Sequence, residues 1–118
     1  MPEWNADPYL FNHTLIIGDL YSPPSFQLWN GSVAEGSAVS LVGATVTASI
    51  FRDDGTVLET PAVIVSNAAL GIFNWYVTDT SDRTPEAAKF AVWVDWGAGE
   101  KTVIEGVVTI RYRANARA

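Results

Sequence analysis

Short alternating apolar segments, closely spaced turn signals and the lack of a convincing helical period predict an all-β sandwich. About seven or eight strand-like runs are separated by Gly-, Pro-, Asn- and Asp-rich breaks roughly every eight to twelve residues. That layout suits two packed sheets with Greek-key connections, with a small barrel as the second reading. The 118 residues fit one domain. Hydrophobic residues make up 48% and charged residues 17%, which excludes a disordered tail and provides for one core.

Residues 1–13 read as an extended N-terminal arm, punctuated by Pro2 and Pro8 and lacking either period. The arm carries Trp4, Tyr9, Leu10 and Phe11, which must pack over the open end of the domain or onto another chain. Thr14–Ile17 is a first short strand, stopped at Gly18-Asp19; Pro23-Pro24 forces an extended turn because neither residue donates a ladder hydrogen bond. Ser25–Trp29 alternates and ends at Asn30-Gly31, and Glu35–Leu41 reads as a loop. Thr45–Ile50 is the cleanest period-2 strand, with Val46, Ala48 and Ile50 inward. Asp53-Asp54-Gly55 supplies a tight hairpin, and Ala62–Val65 follows Pro61 as another strand.

In Ile72–Val77 the residues Phe73, Trp75 and Val77 share one face. Glu86-Ala87-Ala88-Lys89 is expected to make one helical turn at most. Phe90–Trp96 alternates, with Phe90, Val92 and Val94 opposite Trp93; Gly97-Ala98-Gly99 then turns the chain into Thr102–Ile104, and Val107–Tyr112 closes the domain. The expected organisation is an arm over 1–13, a sandwich over 14–113 and a tail over 114–118.

The inventory argues against catalysis. Without Cys there is no disulfide, thiol nucleophile or thiolate metal site, a usage that fits a reducing cytoplasm. His13 is the single histidine, with no nucleophile motif near it. Asp79 with Asp82, and Asp53 with Asp54, read as turn residues and not as metal ligands. No catalytic, cofactor or metal site is therefore expected, and no small-molecule substrate. A net charge of −6 disfavours nucleic acid, and no apolar run approaches the roughly twenty residues of a membrane span. Asn12-His13-Thr14 and Asn30-Gly31-Ser32 match the glycosylation pattern, a short match common by chance.

What remains is binding. Five Trp, five Phe and four Tyr exceed the need of a core this small, so some rings are expected to be covered by the arm or by a partner. The candidate partner-binding residues are Trp4, Tyr9, Leu10 and Phe11 of the arm, Trp93, and Arg111 and Arg113. The terminal basic residues read either as a solvated tail or as a contact to an acidic neighbour.

Gly18-Asp19, then Pro23–Leu28, Leu41–Thr47, Asp53–Val57 and Gly71–Trp75 form an ordered set. Together they resemble the immunoglobulin-like domain at the start of phage baseplate upper proteins, and related small proteins of phage head and tail modules. The resemblance spans about residues 14–112. It departs at Ala88-Lys89-Phe90, where the family has Gly-x-Tyr, and at the longer Ser32–Ser40 segment. It implies an immunoglobulin-like β-sandwich of antiparallel strands that is a stand-alone structural subunit of a bacteriophage virion, made in the host cytoplasm. Its expected partners are other virion proteins, major capsid or tail and baseplate, in many symmetric copies. A capsid decoration or cement protein and a tail or baseplate component are both open. The alternative is a glycan-binding adhesion module using exposed aromatics.

Overall fold

The computed structural model describes residues 8–30 and 36–113, and all regular structure in them is strand. In chain order the strands are β1 (Tyr9–Leu10), β2 (His13–Ile17), β3 (Phe26–Gln27), β4 (Trp29–Asn30), β5 (Ser37–Ala38), β6 (Thr45–Phe51), β7 (Val57–Glu59), β8 (Ala62–Asn67), β9 (Ile72–Tyr76), β10 (Glu86–Asp95) and β11 (Glu100–Tyr112). The large sheet runs β1-β11-β10-β6-β7, with β2 also pairing β11; the small sheet runs β3-β9-β8, and β4 pairs β5.

The expected inward faces of β6, β9 and β10 are the observed ones. Ala48 and Ile50, Phe73 and Trp75, and Phe90, Val92 and Val94 are all buried in one cluster with Leu15, Leu28, Val108 and Ile110. Trp75 lies at its centre, its ring 5.0 Å from Phe90 and 5.3 Å from Phe26, both stacked. Most of the aromatic surplus is thus core and not surface. With no disulfide available, cohesion between the sheets rests on this apolar and aromatic contact.

Two expectations are corrected, and the stretch that allowed at most one helical turn makes none. Glu86–Lys89 is the first part of β10, paired with Ile110 through Val107 of β11. The helix preference of two alanines, a few tenths of a kcal/mol per residue, yields to the ladder. Thr102–Ile104 and Val107–Tyr112 are one continuous strand, bent by a bulge between Val92 and Trp93 that puts both Val103 and Ile104 in the core. The ladders are also not all antiparallel, because β1 and β2 run parallel to β11.

That parallel edge is where the arm goes. Tyr9 pairs with Ile104 and His13 with Val108, so β1 and β2 keep one register on either side of Phe11-Asn12. At the break, Phe11 N donates to the Glu105 carbonyl at 2.9 Å, and the Asn12 side-chain oxygen accepts from Val107 N at 2.9 Å in place of a backbone carbonyl. Gly106 sits beneath, where a Cβ would collide with the Phe11 carbonyl oxygen. Only glycine fits this crossing without displacing the edge. Gly71, at φ +69°, makes the other close approach, against the Val39 backbone.

Candidate functional site

The arm residues divide between the two faces of the large sheet, as the strand alternation requires. Phe11 turns inward, 4.9 Å from the Phe26 ring and stacked 4.1 Å from the His13 ring. Tyr9 is half-buried, and its hydroxyl accepts from Trp29 N at 3.0 Å and donates to the Gln27 carbonyl. These two candidates are part of the fold. Leu10 points the other way and is 75% exposed. Trp4 lies outside the described residues.

Leu10 and Trp93 line one concavity on the outer face of the large sheet. Register puts Leu10 beside Glu105, Glu105 beside Ala91 and Ala91 beside Ser49; the next row holds Thr102, Trp93 and Thr47. Ala91 and Ser49 are small and buried, although they face away from the core. Larger neighbours rise around them: the half-buried Trp93 stacked 6.2 Å from Phe51, with Leu10 and Val107 on the far side. The result is a shallow concavity of ≈ 490 Å³, lined also by Lys89, Thr102 and Glu105. Phe51 and Val107 were missed from sequence, since each reads as an ordinary strand residue until its neighbours are known.

The basic candidates are not gathered there. Arg111 is exposed on β11, its guanidinium 3.4 Å from the Tyr112 carbonyl. Arg113 pairs with Asp19 through Nε at 2.9 Å, tying the end of β11 to the turn after β2.

A second cluster joins His13, Tyr21 and Trp75. The buried Trp75 indole N–H donates to the Tyr21 hydroxyl at 3.1 Å, and that hydroxyl lies 2.6 Å from His13 Nε2. The Phe11 carbonyl, 3.2 Å from Nδ1, can only accept, so Nδ1 carries the proton and the neutral ring accepts at Nε2 from the Tyr21 hydroxyl. Burial pushes the His13 pKa down, partly offset by its bond to Phe11, and burial pushes Tyr21 well up. A neutral imidazole and a neutral phenol suit a structural latch: no nucleophile is bonded to the ring. A recess of ≈ 280 Å³ beside it, lined by Ile16, Leu20 and Pro23, adds no further titratable group except Asp19. Among the described residues no group of three or more potential ligands could hold a metal.

No protein-family model and no curated protein matches the chain. Among solved structures it is similar to part of a family 123 glycoside hydrolase from Clostridium perfringens, described for glycolipid glycan hydrolysis. The identity is 12%, the TM-score 0.41, and the match covers 89% of this chain and 23% of the other. The chain therefore spans about a quarter of that protein's length.

Proposed function

We propose that the chain is an immunoglobulin-like sandwich that works by docking, as an accessory structural subunit of a bacteriophage particle. The strand order supports the fold reading. The set β3, β9, β8 faces β6, β10, β11, which corresponds to the B-E-D and C-F-G sheets of immunoglobulin sandwiches. The docking reading rests on one observation: Leu10, Val107, Phe51 and Trp93 frame an outward concavity over a small-residue floor. An apolar patch with a polar rim is the anatomy of a protein interface. The ordered resemblance over residues 14–112 supplies the phage context.

The test is electron microscopy of particles assembled with wild-type chain, without it, and with Leu10→Asp. Density for a domain of this size at symmetric positions, lost in the last two cases, is the expected result. Particles identical in all three overturn the reading. A second reading, glycan binding, is favoured by Trp93 standing beside Lys89, Thr102 and Glu105, a ring with hydrogen-bonding neighbours. It requires saturable binding on a glycan array that Trp93→Ala removes.

A further inference from the structure

The small sheet holds the longest run of the chain without a charged residue. From Thr60 to Thr78, covering all of β8 and β9, no residue is charged, in a chain whose net charge is −6. Nor is either residue of β3. Phe73, Trp75 and Val63 face the core, so Ala62, Ile64, Ile72, Asn74 and Tyr76 form the outer face. Ile64 is 46% and nearby Leu70 47% exposed.

Strand β8 is also an edge, with no partner beyond it among the described residues. The other edges are guarded. Strand β7 is three residues long, carries Glu59 and follows Asp53-Asp54. The β1/β2 edge is broken at Phe11-Asn12 and finished by the Arg113–Asp19 pair. Strands β3, β4 and β5 have only two residues each. Against these, Ala62–Val65 is straight, with Pro61 before it and a bulge between Val65 and Asn67 after it. Proteins keep edges from pairing with charges, prolines and bulges; here the proline and the bulge stand at the two ends, and Ala62–Val65 between them carries no charge.

We infer that β8 is a self-association edge that pairs antiparallel with β8 of a second copy about Ile64, joining the two small sheets. Charge selects the occupant. Two chains of net −6 repel over most of their surfaces, and this neutral face is where two copies meet with no like charges opposed. Strand symmetry supplies the rest: an antiparallel edge is complementary to itself, and pairing about Ile64 sets the two Ile64 side chains opposite each other. Each copy has one such edge among its described residues, so association stops at two. The assembly is independent of particle docking, which uses the opposite sheet.

Sedimentation of the full chain over a concentration series tests this, with Ile64→Lys and, as a control on the guarded edge, Val57→Lys. The expected result is a wild-type dimer, a Val57→Lys dimer of similar affinity, and association at least ~tenfold weaker for Ile64→Lys. A wild-type monomer throughout, a dimer indifferent to Ile64→Lys, or aggregates larger than two overturns it. Circular dichroism checks that Ile64→Lys folds. Should it not, hydrogen exchange on the wild-type chain decides: amides within Ala62–Val65 gain protection with concentration if the edge pairs, and unchanged protection overturns the inference.

Discussion

The Tyr21 hydroxyl stands 2.6 Å from His13 Nε2 while accepting the Trp75 indole N–H, and the Phe11 carbonyl facing Nδ1, an acceptor only, selects the neutral Nδ1–H tautomer. The bond holds β2, and with it the large sheet's edge, to the middle of the core. Protonation at Nε2 would reverse this bond, leaving the Tyr21 oxygen to accept from both rings and its own proton without the His13 acceptor.

Stability should therefore depend on pH through His13. Its folded pKa is depressed by burial, so the unfolded chain binds the proton more readily. The contribution is fully present above about pH 6.5, the ordinary histidine value, and is lost as pH falls below it toward the folded pKa. Melting temperatures of wild type and His13→Gln should diverge in slope between about pH 7.5 and about 5.5, wild type falling faster. Parallel curves would refute the latch. Glu86, Asp54 and Asp79 are also held low, by Arg52, Thr56 and Ser81 respectively, but these carboxylates titrate in more acid solution and are common to both proteins.

Gly106→Ala should cost about 1–3 kcal/mol in urea unfolding, because the new methyl group meets the Phe11 carbonyl. The damage should be local first, with the Val107 and Phe11 amides losing protection from hydrogen exchange before those of β6. A neutral substitution would mean that the arm does not cross β11 here.

Thr80 is buried, and its hydroxyl accepts from Gly18 N at 2.9 Å while donating to the Asp19 carbonyl at 2.8 Å. Thr80→Val keeps the shape and strands both groups, an expected loss of about 1–3 kcal/mol. Thr80→Ser, which keeps the hydroxyl, should lose less. Equal losses would assign the effect to packing.

The arm's two roles separate at adjacent residues. Phe11→Ala should destabilise the domain by about 3 kcal/mol, whereas Leu10→Asp, exposed but set beside Glu105, should cost no more than about 1 kcal/mol. Denaturant titration of the two variants reads this directly. Deletion of residues 1–12 should likewise destabilise the domain. Such a deletion takes away Phe11, β1 and the Asn12 contact to Val107.

Where a strand's partners are close in sequence or its two faces differ, the chain was easy to read. Val46, Ala48 and Ile50 against Thr45 and Thr47 announce β6, and Phe73 with Trp75 announces the inner face of β9. The arm was opaque for a physical reason. A parallel edge strand of two residues, interrupted at Asn12, draws its order from β11 at the far end of the sequence. Nothing local in Tyr9-Leu10-Phe11 encodes that. The concavity was half legible: Leu10 and Trp93 stand out as apolar residues on the wrong side, but Phe51 and Val107 become neighbours only once β6, β10 and β11 are in register.

The pairing of Tyr9 with Ile104 also sets when the molecule can be finished. As the ribosome delivers the chain, the first strand waits for the last, and its phenylalanine stays wet until then. Contacts so distant in sequence form late and slowly. A transcript cut short before Glu100 would release a chain with an orphaned arm and an unsealed β10, a natural substrate for chaperones and proteases.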